Sequence, residues 1–334
     1  MKVYLPTLLL MIVCSTVVRS QIVDLSSADF KKADSIAELY PLHSLKDLKI
    51  LSDKLTRPLA GDLEKFRAIF KWVCINIDND YELYMENKKK RVKLDGDELR
   101  SWEKKFSARA FTTLVQGHRT VCTGYAYLVK ELAFHAGLTC KIIDGYGRNV
   151  QANIGGQGTA NHSWNAVQLN GKWYLSDPTW SSGVINGELR TFVKNFDDAY
   201  FLVEPDLFAR NHYPLDTAWL LLDNKPTLRS FLNGPLLYIG AFRYRVEPLS
   251  PDTLNVTTNR GTKLSFRFSK ESRKDFKKAQ LYVEKSGTND PFSITKVEQE
   301  TVYSVDHTFS SKGRYAVHIL LDGSHAITFD VNVK

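Results

Sequence analysis

Three side chains in this sequence have the types and the order that nucleophilic catalysis uses: Cys122, His162 and Asp177. A cysteine attacks as its thiolate. It therefore needs a lowered pKa, a base nearby and an open approach. Tyr125, Leu128, Val129, Leu132, Ala133 and Ala136 recur at helical spacing, and Gly137 is a terminator. The spacing predicts a helix opening at about Cys122, where the positive end of the backbone dipole favours a thiolate. Thr123 and Gly124 are small and leave the approach free. Taken alone, such a cysteine also fits a buried core position, so the base has to decide.

The base comes with a hairpin. His162–Leu169 and Lys172–Asp177 are β-rich runs joined by Asn170-Gly171, a strong two-residue turn signal. With Asn170 and Gly171 as the central turn residues, Leu169 pairs with Lys172, and the pairing runs back to Trp164 opposite Asp177. Side chains alternate with period two, so His162, Trp164 and Asp177 share one face. His162 and Asp177 are then diagonal neighbours, roughly 7–8 Å apart at Cα, within reach of each other. A one-residue slip would separate them. An imidazole held by a carboxylate is the oriented base that acyl transfer requires. Each piece also has a plain reading: His162 as a surface or core histidine, Asp177 as the start of a turn, and Trp164, Trp173 and Trp180 as core.

Three segments resemble the motifs of the transglutaminase-like superfamily, in the same Cys, His, Asp order: Thr120–Ala126, Asn161–Asn165 and Leu175–Trp180. More narrowly, Phe66–Val73, Tyr200–Pro205 and His212–Pro214 resemble the kyphoscoliosis peptidase-like branch. The resemblance covers about residues 60–235. It implies a papain-like α+β core, with a helix carrying the nucleophile packed on an antiparallel sheet. It also implies Cys122 as nucleophile, His162 as general base and acid, and Asp177 as the orienting carboxylate. Ser181 stands where that family commonly has glycine. The Cys122 backbone N–H, opening a helix, is a natural oxyanion donor, and Gln116 is a side-chain candidate for the same task. Trp164 and Trp180 are candidate substrate contacts.

The expected elements around these residues are unequal in clarity. Residues 21–60 read as a helical lead-in. Leu63, Phe66, Phe70, Val73 and Ile77 mark a helix starting at Gly61-Asp62. Residues 85–105 read as a solvated helical excursion or loop, and 107–121 as a loop. Thr139–Tyr146 reads as a strand, and 147–160 as a mobile loop rich in Gly, Gln and Asn. Residues 192–208 are mixed, and 211–235 form a link punctuated by Pro214, Pro226 and Pro235. Short alternating runs at 263–268, 279–283, 315–321 and 326–333 predict a small immunoglobulin-like β-sandwich, with Tyr315 as a candidate tyrosine-corner residue. The expected division is a signal peptide over 1–20, a catalytic domain over 21–234 and a non-catalytic sandwich over 235–334. The sandwich's partner is left open.

Composition bounds the function. Lys2, an apolar run from Val3 to Val18 and Ser20 before Gln21 read as a cleavable signal, and this predicts a secreted or extracytoplasmic protein. No later run is long and apolar enough to span a bilayer, so no membrane span is expected after cleavage. Removing two basic residues and no acid lowers the net charge from +8 to +6. The remaining charge is scattered, apart from Lys88–Arg91 followed by Asp95, Asp97 and Glu98, which argues against a nucleic-acid partner. Loss of Cys14 leaves Cys74, Cys122 and Cys140, an odd count that flags one non-structural thiol. Cys74 and Cys140 are expected to be buried and reduced. His118, His135, His162 and His212 lack tight ligand spacing, and no phosphate loop or dinucleotide fingerprint occurs, so neither metal nor cofactor is expected. The expected function is a secreted cysteine-dependent acyl-transfer enzyme acting on peptide or protein amides, as a protease or amidase, or as a transglutaminase. The alternative is an inactive binding module on the same fold. Substrate, acceptor, oligomeric state and physiological role are not readable from the sequence.

Overall fold

The computed structural model describes residues 28–271, 274–285, 287–297 and 300–334. The expected signal peptide lies outside the described residues. The lead-in forms α1 (Lys31–Glu38) and α2 (Leu48–Thr56), packed on α3 (Asp62–Asn76). α3 starts at the expected place, where the Gly61 N–H donates to the Glu64 carboxylate at 3.3 Å. Phe66, Ile69, Phe70 and Val73 are fully buried. Arg67 and Lys71 are buried with them. Arg67 donates to Asp34 at 2.6 and 2.9 Å, and Lys71 to Glu38 at 2.6 Å. A buried cation needs a paired acceptor, so the Phe66–Val73 segment both fills the core and pins α1.

Next come β1 (Asp78–Asn79), α4 (Tyr81–Lys93), α5 (Gly96–Gly117), β2 (Arg119–Thr120) and α6 (Cys122–His135). The sequence reading placed a loop over 107–121, but α5 runs through to Gly117. Phe106, Ala110 and Leu114 bury one face at i, i+4, i+8, and no Gly or Pro interrupts them. The chain then reverses at His118 (φ 52°), and β2 pairs parallel with β1. α6 opens at Cys122, as expected.

The sheet that carries the site contains β3 (Thr139–Gly147), β4 (His162–Leu169) and β5 (Lys172–Ser176). After α7 (Pro178–Ser182), the hairpin β6 (Gly183–Asn186) and β7 (Thr191–Lys194), and α8 (Pro205–Phe208), it gains β8 (His212–Pro214). The order is β5-β4-β3-β8, all antiparallel. Asn170 and Gly171 both have positive φ, 50° and 80°, as a type I′ turn requires. The register runs from Leu169↔Lys172 to Asn165↔Ser176, the pairing expected from the turn. The presumed link 211–235 instead supplies β8 and α9 (Leu228–Asn233). Three residues of β-branched-poor sequence ending in proline carry little strand signal; the edge of β3 makes the strand.

Both faces of this sheet are covered. Val167 and Leu169 pack with Leu128, Val129 and Leu132 of α6 and with Phe70 of α3. On the other face, Trp164, Ala166 and Leu175 join a core that continues into the last hundred residues. The architecture is thus α+β, with a cysteine-bearing helix on an antiparallel sheet.

The C-terminal part begins with β9 (Leu236–Leu237) and α10 (Ile239–Tyr244). It continues through β10 (Val246–Ser250), β11 (Asn255–Thr258), β12 (Lys263–Glu271) and β13 (Ala279–Val283). β14 (Thr288–Pro291), β15 (Ser293–Val297), β16 (Glu300–Thr308), β17 (Gly313–Leu321) and β18 (Ser324–Val333) complete it. Sheet β10-β12-β16-β15 faces sheet β11-β18-β17-β13-β14, with β9 paired to β18. The four expected strands fall within β12, β13, β17 and β18. The Tyr315 hydroxyl donates to the Ser311 carbonyl at 2.9 Å, as a tyrosine corner does. Position 234 does not separate two cores: Trp164 and Leu175 lie in one cluster with Phe242, Phe266 and Ile327. Arg245 ties the halves further, donating to the carbonyls of Ala199 and Phe201. Among the described residues no helix is long and apolar enough to cross a membrane.

Candidate active site

Cys122 occupies the first turn of α6, where the leading N–H groups have no intrahelical acceptor. The position of α6 depends on Gly124. A Cβ there would lie 2.1 Å from the Thr120 hydroxyl, so only glycine lets the first turn rest on β2. Asn165 ties α6 to the sheet by donating to the Ala126 carbonyl at 2.9 Å.

Cys122 and His162 line the same cavity, and each shifts the other's pKa, with the Ser163 backbone also lowering that of the thiol. Nε2 of His162 bonds Asp177 Oδ2 at 2.7 Å, which leaves Nδ1 free of the carboxylate. Asp177 is fully buried at the end of the hairpin and caps α7. Its Oδ1 accepts from the Thr179 N–H at 2.8 Å and the Trp180 N–H at 3.2 Å. Its Oδ2 accepts from His162 and also from Nε2 of His212 at 3.0 Å. One carboxylate thus takes four donors.

Burial raises the Cys122 thiol pKa, but the hydrogen bond and charge of His162 outweigh it, and the net shift is downward. Burial opposes the His162 imidazolium, yet Asp177 and then Cys122 raise its pKa to about 10. Burial likewise opposes the Asp177 carboxylate, and His162 and His212 hold it well below the usual range. His212 goes the other way: burial dominates and brings it down to about 4. The two imidazoles on one oxygen are thus shifted in opposite directions, His162 up and His212 down. The surroundings are aromatic. Trp180 stacks on His162 at 4.9 Å between ring centroids, and Phe208 stacks on His212 at 4.0 Å. A water-poor wall of this kind strengthens the ion pair.

Cys122, His162 and Trp180 line a cavity of about 580 Å³. Its other walls are the inner face of α4, the loop 148–161, the β6–β7 hairpin and the segment 237–239. Leu237, Tyr238 and Ile239 thus belong to the cleft, although the expected boundary put them in an accessory domain.

The other sequence candidates fall elsewhere. Gln116 is exposed at the C-terminal end of α5, outside the cavity, because that segment is helix and not a loop beside Cys122. Trp164 is 1% exposed and packs behind the histidines, with His212 5.1 Å away, so it supports the site from within the core. Cys74 and Cys140 are buried free thiols. Burial pushes Cys140 up to about 12 and Cys74 well above its ordinary value. Ser181 is fully buried in α7.

His212 is the residue the sequence reading missed. It was counted among dispersed histidines, although its segment figured in the resemblance. His162, Asp177 and His212 have side-chain donor atoms within 4.8 Å of one another. Their mutual contacts are direct hydrogen bonds of 2.7 and 3.0 Å that already engage both Nε2 atoms, and this accounts for the cluster without an ion.

A family model described as transglutaminase-like superfamily matches residues 49–178, the span from α2 to the start of α7. Kyphoscoliosis peptidase of Mus musculus and that of Homo sapiens are each 31% identical over 236 residues, 70% of this chain and 32% of theirs. Hillarin of Drosophila melanogaster is 29% identical over 229 residues, 65% of this chain and 26% of that protein. The chain thus spans about a third or less of the length of these relatives. With its cysteine-bearing helix on an antiparallel sheet and its Cys-His-Asp order, the chain belongs to the transglutaminase-like superfamily, in the branch of kyphoscoliosis peptidase and hillarin.

Proposed function

We propose that this protein is an exported cysteine-dependent acyl-transfer enzyme acting on peptide or protein amides, with Cys122, His162 and Asp177 as its catalytic triad. The observation that carries the reading is the contiguous line Asp177–His162–Cys122, with a 2.7 Å carboxylate–imidazole bond and the thiol at a helix start in an open cleft. The names of the relatives support it, as does the apolar leader for export.

In this reaction the Cys122 thiolate adds to the amide carbonyl carbon, and the carbonyl oxygen takes up the negative charge beside the Cys122 backbone N–H. The His162 Nδ1 proton passes to the amide nitrogen as the C–N bond breaks. The amine leaves, and a thioester remains. Nδ1, now unprotonated, takes a proton from water or an acceptor amine as it attacks the thioester. The thiolate leaves and the imidazolium is restored. Asp177 stabilises that imidazolium throughout and fixes the ring.

The test measures ammonia release, new N-termini and amine incorporation on a protein extract, with wild type and Cys122→Ala. Wild type should give at least one of the three, and Cys122→Ala none. His162→Ala should lower the rate by on the order of 10²–10⁴-fold. A Cys122 that resists thiol-directed reagents in the native protein would defeat the proposal.

A further inference from the structure

α4 turns one face to the cleft, and that face changes character along the helix. Tyr84, Lys88 and Arg91 line the cavity at i, i+4, i+7. Tyr84 lies beside the nucleophile: burial, and after it the Cys122 thiolate, raise its phenol pKa. Lys88 follows one turn further on, and Arg91 two turns, so the wall becomes cationic with distance from the sulfur. Lys89 and Lys90 point outward and are exposed. The basic run that reads in sequence as a solvated stretch is therefore split, half of it belonging to the cleft.

The charge in the cleft is poorly matched. Among the described residues that line the cavity none is acidic. Arg91 bonds the Ala160 carbonyl and pairs with Glu103 at 2.8 Å. Lys88 has no carboxylate within ion-pair distance among the described residues. Arg148, on the opposite wall, is 1% exposed, and its guanidinium bonds only carbonyls, those of Asn153, Gly234 and Pro235. Carbonyls hold a cation in place but do not cancel its charge. Burial lowers its pKa only to about 10, so it stays charged. A concave, partly apolar wall concentrates such a field on whatever enters.

We propose that the cleft selects acidic peptides: substrates with a glutamate or aspartate about two residues from the reacting amide. This rests on the reading of the cleft as the substrate site. The spacing follows from the helix. One turn carries Lys88 about 5–6 Å beyond Tyr84, and an extended peptide advances about 3.3 Å per residue. Lys88 then lies level with the second residue from the acyl carbon.

The first test compares alkylation of Cys122 by iodoacetate and iodoacetamide, which differ by one negative charge. Relative to free cysteine, the iodoacetate/iodoacetamide rate ratio should rise about tenfold at low ionic strength and collapse in high salt. Lys88→Gln should remove most of the rise. Lys89→Gln, the same charge change on the outward face, should leave it. The second test uses the full chain carrying Cys122→Ala and fluorescent peptides that differ only in Glu or Lys two residues to either side of a glutamine. The Glu peptide should bind at least about tenfold more tightly, since the two peptides differ by two charges at this position, and adding Lys88→Gln should remove most of the difference. A rate ratio at or below that of free cysteine, or equal binding of the two peptides, overturns the acidic preference. If Cys122 nevertheless alkylates ahead of Cys74 and Cys140, the nucleophile reading stands alone. An inert Cys122 with acid-selective binding intact has the opposite meaning: the enzyme reading falls and the acidic cleft remains.

Discussion

Asp177 is the residue on which the site converges, because a single buried carboxylate accepts from two imidazoles and two backbone N–H groups. Asp177→Ala would leave an imidazolium buried without its partner, and the expected cost is about 3–5 kcal/mol in a urea titration. The titrating groups also predict a stability profile. The folded pKa of His162 lies above its unfolded value, so its contribution is full below about pH 6.5 and is lost as pH rises toward about 10. The lowered Cys122 pKa acts in the opposite sense, adding stability as pH rises toward the unfolded thiol value of about 8.5. His212 acts on the acid side. Its folded pKa near 4 lies below the unfolded one, so stability is lost as pH falls from about 6.5 toward 4. Cys122→Ala removes the opposing contribution of the thiol, and the alkaline decline should then begin at a lower pH than in wild type. Urea midpoints taken across pH check both limbs; an unchanged alkaline limb in Cys122→Ala would mean that the thiol does not oppose the imidazole.

At the scale of elements, two close approaches set the geometry. Gly124 lets α6 sit on β2, and Gly147 of β3 lies against His162, where a Cβ would fall 2.9 Å from the histidine Cβ. Neither needs a special backbone conformation; both need space. Gly124→Ala should cost about 1–3 kcal/mol as an overpacked contact, and it should slow iodoacetamide labelling of Cys122 because the helix start moves. Gly147→Ala should leave the fold nearly intact, push the imidazole aside and reduce labelling at mildly acidic pH. If Gly147→Ala labels like wild type, the imidazole is not held where the thiolate depends on it. Of these elements the hairpin was the most legible, since its turn type follows from Asn170-Gly171 and its register from the turn. The loop expected over 107–121 was misread for the opposite reason: a helix with few strongly apolar residues, bearing only Phe106, Ala110 and Leu114 on its buried face, looks solvated until a partner covers it.

The whole molecule is less divisible than its composition suggests. Arg148 takes its acceptors from Gly234 and Pro235, residues 237–239 form a cavity wall, and Trp164 shares a core with Phe242 and Phe266. A chain ending at Gly234 would expose that core face and leave Arg148 short of a carbonyl. We expect it to lose cooperative unfolding and the selectivity of alkylation for Cys122 over Cys74 and Cys140. A soluble truncated chain with wild-type selectivity would show that the sandwich is dispensable.

The sequence by itself determined what short-range order encodes: a helix opening at Cys122, a hairpin bringing His162 onto Asp177, and a run of alternating strands after position 260. Period, turn chemistry and capping act over a few residues, so they are visible in the order of the chain. Tertiary structure decided the rest. His212 reaches Asp177 from 35 residues away through a strand that exists only because β3 offers an edge. Lys88 turns into the cleft only because α4 packs beside Cys122. Gln116, near Cys122 in sequence, is carried out of reach by the helix that ends beside it. These placements depend on which surfaces bury one another, and no local pattern carries that information.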